Sequence, residues 1–154
     1  MDSNTIKLFS SQKTDHWQTP PEFLKKLDQE FHFNHDPCPR YPVVDGLQVD
    51  WKERVFVNPP YSQTGKWLKK AHMEIQKKSE IIVFLTFANT DTKWFHDYCY
   101  KKCNYCDIEI KFVKGRLKFI SDDGIKNSAM RPSMLVIFKK KEDSDEKSNY
   151  RKDG

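Results

Sequence analysis

The sequence predicts an α/β protein with a mainly parallel sheet flanked by helices, and three observations lead there. Short apolar runs alternate with amphipathic stretches of helical spacing, the pattern of strand–helix–strand units. The run Ile81–Phe87 is apolar almost throughout, as a strand is when both of its faces are covered. Polar residues (Asp36, Asn58 and Asn89–Asp91) directly follow predicted strands, and ligands of such sheets bind outside the carboxyl ends of the strands.

Taken in order, residues 1–14 are polar and expected to be disordered, residues 15–138 to form one domain, and residues 139–154 to be a charged disordered tail. Thr19, Pro20 and Glu22 read as N-cap, first helical residue and capping-box partner of a helix that buries Phe23, Leu24, Leu27 and Phe31. Phe31–His35 alternates as a strand running into Asp36-Pro37-Cys38-Pro39. Asp45-Gly46-Leu47 and Asp50-Trp51 belong to a loop ahead of a strand at 54–57. Residues 63–78 form a helix with Trp67, Leu68, Ala71 and Ile75 inward and its lysines mostly solvated. After Ile81–Phe87, Thr90 or Asp91 caps a helix carrying Trp94, Phe95 and Tyr98. Ile108–Val113 alternates as a half-exposed strand, and Leu117–Ile120 follows the break at Gly115-Arg116. Residues 121–132 lack periodicity and read as a mobile loop, and Met134–Phe138 is the last strand.

Composition narrows the function classes. With 37% hydrophobic, 32% charged and 14% aromatic residues, the chain has the balance of a soluble, aromatic-rich domain. The apolar run starting at Ile81 is too short to span a bilayer, and the N-terminal stretch lacks the apolar core of a signal peptide. The expected location is therefore cytoplasmic, or nuclear in a eukaryotic source, without a membrane partner. A net charge of +5 makes an anionic partner plausible. Four cysteines in such a chain are expected to be reduced thiols.

The candidate site is Val55-Phe-Val-Asn58-Pro59-Pro60-Tyr61-Ser62, where two prolines stop an apolar strand and hold the backbone extended. Asn58 and a proline carbonyl then offer two acceptors beside the Tyr61 ring, a receptor for a planar amino group such as that of adenine. The exocyclic amine of adenine is a poor nucleophile because its lone pair is delocalised into the ring. Acceptors for both N–H groups localise that pair and stabilise the charge that develops during attack on an electrophilic methyl group. The plainer readings, a turn or a proline-rich ligand, fit a polar flexible segment better than the end of a hydrophobic strand.

Several further stretches carry a resemblance: Asp15-His-Trp17-Gln-Thr19-Pro20, Phe31–Cys38, Asp45-Gly-Leu47 with Trp51, Val57–Ser62, Thr90–His96, Gly115–Phe119 and Ser133-Met134. Over about residues 15–138 the chain resembles the small phage-type, Dam-like DNA N6-adenine methyltransferases. That resemblance implies a Rossmann-like fold that uses S-adenosylmethionine, with Asn58, Pro59, Pro60 and Tyr61 catalytic and holding a flipped adenine of DNA. It makes Trp17, Thr19 and Pro20 the segment that closes over the methyl donor, and Asp36, Pro37 and Cys38 the loop that cradles its methionine part. Asp45 and Leu47 become the pair that reads the donor's adenine. The Gly-x-Gly loop of larger methyltransferases is absent, and one or two of their strands are missing between Asp36 and Trp51. No separate target-recognition domain fits in the chain, so Lys66, Arg116, Lys126 and Arg131 are the candidate DNA contacts, on a monomer or weak dimer.

Two other readings stay open on the residues alone. Asn-Pro-Pro-Tyr also serves enzymes that methylate RNA adenine or protein glutamine. Cys99, Cys103 and Cys106 have a spacing suited to an iron–sulfur cluster, or to zinc with His96 or Cys38, although no metal is expected.

Overall fold

The computed structural model describes residues 17–121, 124–129 and 131–142. The segment 1–14 and residues 143–154 lie outside the described residues; of the tail expected to be disordered from 139 onward, Lys139 and Lys140 instead belong to a strand. A four-stranded sheet forms the centre, made of β1 (Arg54–Val57), β2 (Ile81–Phe87), β3 (Cys106–Phe112) and β6 (Ser133–Lys140) in the spatial order β1-β2-β6-β3. A separate two-stranded hairpin pairs β4 (Lys118–Ile120) with β5 (Lys126–Ser128).

The mainly parallel sheet predicted from the sequence is not what forms. Only β1 and β2 pair in parallel, whereas β6 runs antiparallel to both β2 and β3. The pairing is therefore mixed and mostly antiparallel, even though β1, β2 and β3 share one direction. The misleading signal was the apolar run of β6. Its residues Ser133–Phe138 are all buried, and a strand covered on both faces reads as a continuous apolar run whichever way it points.

Side chains of the sheet alternate between two cores. Val55, Val57, Ile82, Phe84, Met134, Val136 and Phe138 pack on one face against Trp67, Leu68 and Ala71 of helix α2 (Thr64–Glu74) and against Phe95 and Cys99. Phe56, Val83, Leu85, Leu135 and Ile137 pack on the other face with Leu27 and Phe31 of helix α1 (Pro21–Phe31) and with Phe119 of the hairpin. The result is three layers, with the period-two pattern of each strand assigning its residues to one core or the other.

Several elements differ from their sequence reading for local reasons. Phe31 ends α1 instead of starting a strand, because His32 adopts a left-handed conformation (φ 52°) and donates its N–H to the Asp28 carbonyl. The expected strand at 31–35 shrinks to a single parallel bridge between His35 and Val55. After β2, the Phe95 N–H is capped by Thr92 Oγ1, rather than by Thr90 or Asp91, and the segment Phe95–Tyr100 is a π-helical turn. Residues 121–132 are not simply a loop, since they contain β5. The last strand extends to Lys140.

Two buried anchors hold the chain between the site loops and the core. Glu74 is fully buried, accepts the Trp51 N–H (3.1 Å) and pairs with Lys70 (2.8 Å). Burial pushes its carboxyl up, but the hydrogen bonds from Lys70 and Trp51 and the lysine charges outweigh that and hold it below the ordinary carboxylate range. Trp51 stacks on Trp67 and donates its indole N–H to the Gly46 carbonyl (2.8 Å). Gly46 is required by space: a Cβ there would lie 1.9 Å from the Pro37 carbonyl oxygen.

Candidate active site

β1 ends at Val57, and the next two peptides leave the sheet, so Asn58 stands at its carboxyl edge. Pro60 is extended (φ −55°, ψ 134°), and Tyr61–Gln63 then makes a single 3₁₀ turn into α2. That turn decides which proline can serve as an acceptor. The Pro60 carbonyl accepts the Gln63 N–H (2.9 Å), whereas the Pro59 carbonyl has no hydrogen-bond partner among the described residues.

The Asn58 amide is set by a segment about forty residues earlier in the chain. Its Nδ2 donates to the Trp17 carbonyl (2.8 Å) and to Thr19 Oγ1 (3.0 Å). The predicted N-cap role of Thr19 is thereby corrected: Pro20 is the cap residue of α1, and no side chain caps that helix. Gln18 forms an antiparallel bridge with Ile120, so the segment lies along β4 as a third, irregular strand. Arg40 reinforces the attachment by donating to Gln18 Oε1 (3.0 Å).

Two cavities meet at this point. The first, of about 500 Å³, is lined by Trp17, Thr19, Leu24, Asp36, Cys38 and Asn58 among others. The second, of about 540 Å³, is lined by Trp17, Asn58, Pro59, Tyr61, Phe87 and Arg131 among others. Trp17 and Asn58 belong to both walls. In the second cavity Tyr61 meets Phe87 edge-on (5.2 Å between centroids), and the Arg131 guanidinium lies over the Tyr61 ring (5.6 Å). In the first, partial desolvation pushes the Asp36 carboxyl, which keeps contact with solvent, up to about 6, with the Cys38 N–H it accepts (3.0 Å) drawing it partly back.

The chain's sequence matches the family model of DNA N-6-adenine-methyltransferases (Dam) over residues 4–153. The chain belongs to this family. It is thus an enzyme that methylates adenine at N6, with DNA as its substrate. Comparison with curated proteins gives no match. As a Dam-family protein it implies S-adenosylmethionine as methyl donor. The first cavity fits that molecule, having one carboxylate for an ammonium group, ring and apolar walls, and a volume in the range of small-molecule sites.

The candidate residues of this Dam-family chain fall into distinct places. Pro60 and Pro20 line neither cavity, and Pro37 is buried against Gly46. Asp45 accepts the Leu47 N–H (3.0 Å) in a turn of its own, and neither residue lines a cavity. Asn89–Asp91 likewise stand apart from both linings. Lys66 is exposed one turn beyond Tyr61 on α2, while Arg116, Lys126 and Arg131 are exposed on or beside the hairpin. Arg40 and Tyr41 in the first cavity, and Asn127 and Ser128 in the second, were missed by sequence reasoning. The first two follow Pro39 without any motif, and the others sit in the stretch read as a loop.

The cysteines do not form a ligand set. Cys99 and Cys106 are buried in the core, where desolvation raises both thiols, that of Cys99 to about 12. Among the described residues no three His, Cys, Asp or Glu side chains are grouped as a metal site requires. Nor is any helix there long and apolar enough to cross a membrane.

Proposed function

We propose that the protein transfers the methyl group of S-adenosylmethionine to N6 of an adenine swung out of DNA, with the donor in the first cavity and the base in the second. The observation that carries this reading is the meeting of both cavities at Asn58. A base inside a duplex cannot enter such a cavity, so it must leave the stack first.

In the second cavity Tyr61 supplies the ring face for the base, and Phe87 supports Tyr61 from the side. Asn58 Oδ1 and the Pro59 carbonyl accept the two N–H groups of the amine. They favour the localised lone pair and oppose the positive charge that grows on N6 as it attacks. Neither carbonyl holds a proton at neutral pH, so the surplus proton leaves to water. In the first cavity the Asp36 carboxylate holds the donor's ammonium, and Trp17, Leu24 and Phe56 provide apolar walls. The bound donor supplies an electrophilic methyl group on a positively charged sulfur. Arg131 in the wall of the second cavity and the exposed Lys66, Arg116 and Lys126 contact the phosphates of the DNA in this reading.

The test is N6-methyladenine formation on DNA, quantified by mass spectrometry, with RNA and peptide substrates in parallel. Asn58→Ala should lower the rate on DNA by about 10²–10³-fold, the effect of removing one preorganised polar group, with the fold intact. Full activity of Asn58→Ala, or a preference for RNA or peptide, would overturn the reading.

A further inference from the structure

An asparagine at the end of a strand has a two-fold ambiguity: its amide can present either oxygen or nitrogen to a ligand. Turned one way, Asn58 meets the substrate amine with an acceptor; turned the other way, it opposes that amine with a second donor. The Asn58 Nδ2 donates to the Trp17 carbonyl and to Thr19 Oγ1, and the carbonyl breaks the tie because it can only accept, while the hydroxyl fixes the amide beside it.

Thr19 is nearly buried, at 7% exposure, and precedes a helix whose first N–H groups lack any side-chain cap. Because the helix begins one residue later, with Pro20 as its cap, the Thr19 hydroxyl is not used by the helix and its oxygen receives Asn58. The Trp17 carbonyl is held in turn, because Gln18 exchanges both backbone hydrogen bonds with Ile120 (3.2 Å each).

We propose that Thr19 is a positioning residue of the methyl-transfer reaction, its hydroxyl holding the Asn58 amide against the Trp17 carbonyl, which keeps the amide oxygen toward the acceptor amine. The assignment rests on the Asn58 role given above and concerns the amide's orientation, not donor binding. It also gives the bridge between Gln18 and Ile120 a purpose, since the strand that holds Gln18 carries Phe119 in the wall of the Tyr61 cavity.

The experiment compares Thr19→Val, which keeps the shape without the acceptor, with Thr19→Ser, which restores it. Thr19→Val should lower kcat on DNA on the order of 10–100-fold, the scale expected when a reacting group is misplaced by a small distance. Thr19→Ser should stay close to the wild type. Because Thr19 also lines the donor cavity, donor Kd by calorimetry is read beside kcat, and kcat at saturating donor should still fall in Thr19→Val. The Asn58 side-chain ¹⁵N–H resonances, assigned by comparison with Asn58→Ala, should move in Thr19→Val and not in Thr19→Ser. Unchanged kcat in Thr19→Val overturns the proposal, and so does a loss confined to donor affinity. If Thr19→Val does not fold, the wild-type resonances decide: both side-chain protons hydrogen-bonded supports the lock, and solvent-like protons refute it. Wild-type protein that methylates no DNA would refute the reaction assigned to Asn58, while the resonances would still judge the lock separately.

Discussion

Lowering the pH should weaken donor binding through Asp36. Partial desolvation at the cavity wall pushes its carboxyl up to about 6, against 3.8 for an ordinary aspartate. If the donor's ammonium binds only the carboxylate, apparent Kd rises by the factor 1 + 10^(pKa − pH). That is about twofold at pH 6 and about tenfold at pH 5, against almost no change at pH 7. Titration calorimetry from pH 7 downward keeps the donor's own amino group protonated, since α-amino groups titrate at about 7.7–8.0. Asp36→Asn should bind weakly at every pH and show no slope. The same group tilts the stability of the free protein. Its folded pKa is raised, so the fold takes up this proton more readily than the unfolded chain does. Its contribution is therefore lost as pH rises from 3.8 through about 6, and Asp36→Asn should flatten that trend in thermal unfolding. A Kd that stays level from pH 7 to 5, or an Asp36→Asn protein with the wild-type slope, would refute the placement of the ammonium.

Three further outcomes are expected. Gly46→Ala should destabilise the protein by about 2–4 kcal/mol, because its Cβ meets backbone at Pro37 that cannot rotate away; thermal unfolding should drop by roughly 2–4 °C per kcal/mol, and an unchanged Tm would contradict the close approach. Glu74→Ala should cost about 3 kcal/mol in denaturant unfolding by leaving the Trp51 N–H and Lys70 without their partner, with Glu74→Gln milder because it keeps an acceptor for Trp51. Arg131→Ala should weaken DNA binding and reduce the salt dependence of log K by about one counterion; an unaltered salt slope would show that Arg131 serves only Tyr61.

What the sequence revealed divides along physical lines. The strand ending in Asn58-Pro59-Pro60 was legible because apolar burial and proline are both local signals, and the two cores follow directly from alternation in β1 and β2. Strand direction was not legible. Met134–Phe138 is equally apolar whether it runs with β2 or against it, and only pairing decides. The hairpin was hidden for a different reason: all three residues of β5 (Lys126, Asn127 and Ser128) are exposed, so no burial pattern marks them. Thr19 was read as a helix cap because a Thr-Pro pair opens many helices at the proline. Here the helix starts one residue later, at Pro21, and the hydroxyl meets a residue far along the chain.

The internal position of β6 bears on how the protein is made. Its neighbours β2 and β3 are complete well before residue 133 emerges from the ribosome, yet each depends on β6 for a row of hydrogen bonds. Until then β3 has no partner in the sheet, and β2 has only β1. The nascent chain therefore carries unpaired strand edges until β6 has been made, a window open to aggregation. The final strand then enters between two waiting ones, joining the active-site half of the sheet to the rest in a single late step.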